Sequence, residues 1–274
     1  MNKLRLAILD LYNGIPNQGM RCIKAIADGF ADEIDYQIFD VRMTGEMPEL
    51  ADFDLYISSG GPGDPLEFDG WGKAYFDWLD ALWQHNQKAV RKKYVFFICH
   101  SFQMAVHHFG LAEVTARKSI SFGTFPVHLT QAGKEDELLG QFGSIFHAAD
   151  FRRFQAIQPN NKRFEELGAQ LLCLEKKRPH VPLERAIMAI RFSPEIIGVQ
   201  FHPEADPEGM LTHFSRPEIK AEVIAEHGRE KWLKMMAHLS DPDKILRTHD
   251  ATIPGFLRQA IDRLKAAELV EETE

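Results

Sequence analysis

The sequence is short of cysteine, of long apolar runs and of positive charge. Its three cysteines, Cys22, Cys99 and Cys173, are odd in number and widely spaced. They build neither a disulfide framework nor a metal-ligand cluster, so no metal site is expected and a reducing cytoplasm suits the chain. No apolar segment approaches the roughly 20 residues that span a bilayer. Residues 1–5 run into a strand pattern without a secretory apolar core. The formal net charge of −8 argues against nucleic acid or an anionic membrane as the main partner. Two basic stretches stand out against it, Arg152-Arg153 and Lys176-Lys177-Arg178. There is no internal repeat and no low-complexity tract.

What is present is an ordinary globular composition, 45% hydrophobic and 26% charged over 274 residues. That length holds one large α/β domain, or a domain of about 200 residues with an appendage. Short apolar runs at 4–9, 36–41, 54–58, 94–98 and 196–201 read as strands. Helical patterns at 18–30, 72–90 and 101–108 alternate with them, which predicts a mostly parallel open sheet covered on both faces. Residues 114–190 read as several shorter strands added to that sheet. Beyond residue 206 the strand pattern stops, and 217–239 and 254–269 read as amphipathic helices. The expected division is therefore 1–206 for the α/β domain and 207–274 for a helical extension. That extension packs on the domain or forms a homodimer surface, and deleting 240–274 is expected to lower stability or change oligomeric state while sparing the chemistry.

Three strand ends carry unusual residues, and ligands of open parallel sheets bind beyond such ends. Cys99 stands where a buried strand passes directly into a helix, a turn that lifts a nucleophile above the sheet at a helix N-terminus. A lone cysteine is more often a buried structural residue, and Cys22 and Cys173, inside helix-like and strand-like patterns, fit that role. His202 follows the strand at 196–201 and can exchange a proton with a thiol and a leaving amine. Glu204 can hold the second imidazole nitrogen and fix the ring. The plain alternative is a strand-ending turn with a solvated carboxylate, since twelve histidines make a chance His-x-Glu unremarkable. Gly60-Gly61-Pro62-Gly63 lets backbone N–H groups approach a developing oxyanion. No Gly-Lys-Ser/Thr follows it, so it is not a phosphate loop.

These blocks resemble class I glutamine amidotransferases, whose blocks are a Gly-Gly-Pro-Gly loop, a Gly-x-Cys-x-Gly-x-Gln elbow and a Gly-Val-Gln-Phe-His-Pro-Glu strand end. Here they stand as Ser59-Gly60-Gly61-Pro62-Gly63, Cys99-His100-Ser101-Phe102-Gln103 and Gly198-Val199-Gln200-Phe201-His202-Pro203-Glu204. The last block matches in full, the resemblance spans about residues 4–206, and its flavour is that of the GMP synthetase glutaminase domain. It implies a flavodoxin-like sheet and a Cys-His-Glu triad of Cys99, His202 and Glu204. It also implies oxyanion donors at the main chain of Gly61 and His100, and substrate contacts from Gly60 and Gln103. Glutamine, or another γ-glutamyl compound, would be cleaved through a thioester without a cofactor in this chain. Residues 144–150 are similar to the family's Ser-His-Gly-Asp segment, but their spacing differs and no role is carried over.

The elbow glycines of the pattern are replaced by Phe97 and Ser101, so this turn must be accommodated differently. No Ser-Gly-Gly-x-Asp-Ser signature occurs, and an ATP-dependent synthetase would be a separate chain. Three readings follow: a glutaminase feeding such a synthetase, a free-standing hydrolase or transferase of γ-glutamyl compounds, or a non-enzymatic relative that keeps the fold.

Overall fold

The computed structural model describes residues 3–178 and 184–271. Its strands are β1 (Leu4–Asp10), β2 (Ile34–Asp40), β3 (Leu55–Ser58), β4 (Tyr94–Ile98), β5 (Glu113–Leu129), β6 (Ile145–Ile157), β7 (Gln170–Glu175), β8 (Ile187–Ser193) and β9 (Ile196–Val199). They form one nine-stranded sheet in the order β2-β1-β3-β4-β9-β8-β7-β5-β6. Strands β2, β1, β3, β4 and β9 are mutually parallel, the doubly wound arrangement expected from the alternating pattern. The remaining strands join antiparallel. The central β4 is buried at every position, as a strand covered on both faces must be.

Helix Gln18–Asp28 begins where the Asn17 side chain accepts from the Met20 N–H, a standard N-cap. Its apolar stripe of Met20, Ile23, Ile26 and Ala27 covers one face of the sheet. Helices Gly72–Lys88 and His100–His108 cover the other, with Tyr75, Leu79, Leu82 and Phe102 buried against β3 and β4. The last helix, Ile253–Glu271, shares the first face. Ile253, Phe256, Leu257, Ala260, Ile261 and Leu264 lie in the same cluster as Phe96 and Ile98. A third cluster joins Ala149 and Phe151 to Met210, Phe214, Val223, Met235 and Leu239 on the intervening helices.

Two expectations change in detail. The middle of the chain holds two long strands, β5 and β6, whose register shifts between Ala116 and Ser121. The helix read over 217–239 is two, Pro217–His227 and Arg229–Leu239, because Gly228 turns at φ +87, a conformation glycine adopts without steric penalty.

Candidate active site

Strands β3, β4 and β9 are neighbours and parallel, so the segments after them emerge along one rim. Gly61, Pro62, Cys99, His202 and Glu204 all line a single cavity of about 830 Å³ there.

Cys99 caps helix His100–His108 at φ +48 and ψ −91, a backbone region that costs a non-glycine residue of order 1–3 kcal/mol. Its amide donates to the Val199 carbonyl at 2.8 Å, and its carbonyl accepts from the Gln103 amide at 3.0 Å. Ser101 stitches the turn. Its hydroxyl accepts from the Ile98 amide at 2.9 Å and donates to the Ser58 carbonyl at 2.7 Å. A side chain where the pattern has glycine therefore ties the ends of β3 and β4 together.

Phe97 is accommodated across the sheet. It is paired with Gly198 on β9, and a Cβ at Gly198 would lie 2.8 Å from Phe102, 3.1 Å from Phe192 and 3.2 Å from the Phe97 Cβ. The space a glycine leaves on one strand is filled by the aromatic on the next. Gly198→Ala is expected to lower stability by about 1–3 kcal/mol through overpacking. A urea-unfolding cycle with Phe97→Ala should show the two changes coupled; additive losses would contradict the pairing.

The imidazole of His202 is fixed by a 2.8 Å hydrogen bond between its Nδ1 and Glu204 Oε1. The strand continues into it through the His202 amide, which donates to the Ala149 carbonyl at 2.8 Å. Burial opposes a charge on His202, but Glu204 and Cys99 beside it hold its value well above the usual 6.5. Glu204 is itself buried, and its Oε2 has no hydrogen-bond partner among the described residues. The Glu204 carbonyl accepts from His249 of helix Ile245–Ala251 at 3.1 Å, so the C-terminal helices reach the site.

The glycine loop is close-packed for a reason. A Cβ at Gly61 would stand 2.6 Å from the Leu11 carbonyl, and one at Gly60 would meet His202 Cε1 and the Tyr12 hydroxyl, each at 3.0 Å. Arg42 braces the loop by donating to the Pro62 carbonyl at 2.6 Å. His100 keeps its ring buried, and burial together with nearby Arg42 pushes its value down to about 3. The ring is neutral, leaving the backbone N–H as its contribution at the start of the helix. Gln103 does not line the cavity. Its Nε2 donates to Gln200 Oε1 at 2.8 Å, and Gln200 lies 3.6 Å from the Cys99 sulfur.

Several cavity residues carry no sequence signal: Tyr12, Arg21, Cys22, Phe151, Asp206 and Phe214. Cys22 donates to Asp206 at 3.2 Å, and Asp206 also pairs with Arg21. Burial pushes the Cys22 thiol up to about 12. Asp150, in the segment similar to the Ser-His-Gly-Asp block, is buried on Arg152 at 2.9 Å and Ser121 at 2.7 Å, away from the cavity lining. Among the described residues no His, Cys, Asp and Glu side chains group as a metal site, and no helix is long and apolar enough to cross a membrane.

The family described as glutamine amidotransferase class-I matches residues 19–219. Among curated proteins none matches in sequence. Solved structures match the fold. A glutamine amidotransferase from Thermotoga maritima is 16% identical with a TM-score of 0.67, over 96% of this chain and 99% of that one. A GMP synthase-type glutaminase chain from Thermoplasma acidophilum is 15% identical with a TM-score of 0.58, over 99% of each chain. The glutaminase domain of CTPS from Trypanosoma brucei, solved with bound acivicin, is 14% identical with a TM-score of 0.54, over 74% of this chain and 86% of that one.

Proposed function

The chain belongs to the class I glutamine amidotransferase family, and on that premise we propose that it hydrolyses the side-chain amide of glutamine at Cys99. The observation that carries this reading is His202, held by Glu204 at 2.8 Å with Cys99 beside it in one cavity. A cationic imidazole beside a thiol favours the thiolate, which is the nucleophile. The sulfur attacks the amide carbon, and the oxygen that becomes negative is met by the N–H groups of Gly61 and His100. His202 then protonates the departing nitrogen, and ammonia leaves with a thioester on Cys99. Water, deprotonated by the same ring, attacks the thioester; glutamate leaves and the thiol is restored. Ammonia would pass to an acceptor activated by a separate ATP-dependent chain in the cytoplasm.

The cavity supports a second reading. At about 830 Å³, with Phe151, Met210 and Phe214 in its wall, it falls in the range that encloses a drug-sized molecule and exceeds what one glutamine fills. A γ-glutamyl compound with an apolar amine would use that wall. Steady-state assays of glutamine against a panel of γ-glutamyl amides decide between them. The first reading expects glutamine to be turned over at least as well as any amide, with activation by a cognate synthetase. Faster cleavage of an apolar γ-glutamyl amide would replace it with the second.

The role of Glu204 has a pH signature. The active form needs His202 protonated, so activity falls as pH rises through the raised value of that ring. Removing the carboxylate in Glu204→Gln leaves burial dominant, and the value drops. The alkaline limb of kcat/KM is therefore expected to move to lower pH, with at least a tenfold loss at pH 8, about 1.4 kcal/mol. An unmoved alkaline limb would deny Glu204 its part.

A further inference from the structure

The basic stretch at Lys176 has no part in the Cys99 site, and its surroundings point to a second ligand. A separate cavity of about 480 Å³ lies between the β5 residues Phe122–Pro126 and helix Arg229–Leu239. Lys176, Arg229, Lys231 and Lys234 line it, against the single carboxylate of Glu230. None of these four cations has an ion-pair partner among the described residues. Lys176 instead lies over the Phe125 ring at 5.1 Å. Its ammonium is held below the usual lysine value by burial and then by Arg178, Lys234 and Lys231, with Glu175 opposing. Positive charge thus outweighs negative on this wall.

Two further features converge on the same cavity. Helix Arg229–Leu239 starts after Gly228, and no side chain caps its first turn. Gly228, Arg229, Glu230 and Lys231 all line the cavity, so the open N–H groups and the positive end of the helix lie at its wall. Thr124, also in that wall, is 6% exposed, and its hydroxyl has no hydrogen-bond partner among the described residues. A buried hydroxyl without a partner is unfavourable, and an acceptor-rich ligand would satisfy it.

We propose that this cavity binds a phosphate group, free or as the monoester of a small organic molecule. Lys176, Lys231 and Lys234 would supply charge, the first turn of helix Arg229–Leu239 its N–H donors, and Thr124 its hydroxyl. Unpaired cations, helix amides and a lone hydroxyl together match a compact dianion with several acceptor oxygens. The cavity is roomier than inorganic phosphate requires, which favours an ester. The inner face of the same helix packs Met235 and Leu239 against Met210 and Phe214, and the latter two also line the Cys99 cavity. The bound anion would sit one helix away from the catalytic wall.

Calorimetric titration of the full chain with inorganic phosphate and with adenosine monophosphate, at constant ionic strength, tests the proposal. Saturable binding of at least one is expected, weakened tenfold or more in Lys231→Ala/Lys234→Ala and weakened in Thr124→Val. Circular dichroism confirms that both variants are folded. Tighter binding of the nucleotide identifies an ester as the ligand, and equal binding identifies the bare anion. No saturable binding of either, or binding that both variants retain in full, would overturn the proposal.

Discussion

Replacing Cys99 with alanine is expected to lower ammonia release from glutamine by about 10⁴-fold or more, the scale seen when a nucleophile is removed from a triad. Stability should change little. Alanine meets the same φ of +48, and the bonds that hold the turn run through backbone amides and Ser101. The other thiols serve as internal controls. Cys22 lines the same cavity but is held protonated, its value pushed to about 12 by burial. Cys173 is fully buried in β7, and burial raises its thiol strongly. Cys22→Ala and Cys173→Ala should therefore keep activity within a few fold. Equal losses from Cys22→Ala and Cys99→Ala would move the chemistry to the wrong sulfur.

Removing residues 252–274 is expected to abolish the folded state. This departs from the expectation that the tail is an appendage, and the reason is where its side chains go. Ile253, Phe256, Leu257, Ala260, Ile261 and Leu264 are each at most 3% exposed. Phe256 meets Phe96 of the central strand edge-on, ring centres 5.3 Å apart. At roughly 2 kcal/mol for each large apolar side chain, the burial lost is on the order of 10 kcal/mol, as large as the whole stability of a typical domain. Polar ties add to it: Arg258 pairs with Glu33 at 2.8 Å, and Arg91 joins Glu268 to Asp54, each at 3.0 Å. Soluble yield, far-ultraviolet circular dichroism and gel filtration measure the outcome. A truncated chain with a cooperative melt near that of the full chain would contradict the assignment of this helix to the core.

The parallel half of the sheet is legible in the sequence because each of its strands is a short apolar run ending in a distinctive residue. Gly60-Gly61, Cys99 and His202-Pro203-Glu204 stand at such ends, and neighbouring parallel strands bring them to one rim without further information. What the sequence hides is what depends on partners across space. Phe97 reads as an obstacle at the elbow, yet its room comes from Gly198 on β9, a complementarity with no trace along the chain. Ser101 reads as a tolerable replacement and proves to be a tie between β3 and β4. Helical periodicity announces the helix at 254–269 but does not say which surface an apolar stripe covers. Tyr12, Arg21 and Asp206 enter the cavity from a loop, a helix and a cap with no motif around them. Gln103 belongs to a motif, but the motif does not reveal that it acts through Gln200, behind the sulfur.

The account rests on a single reactive sulfur above β4. Incubating the full chain with an electrophilic glutamine analogue, then mapping peptides by mass spectrometry, reads this directly. One adduct is expected, on Cys99, formed at least tenfold more slowly in His202→Asn and blocked by excess glutamine. An adduct on Cys22, or a folded chain that takes up no label, would contradict it.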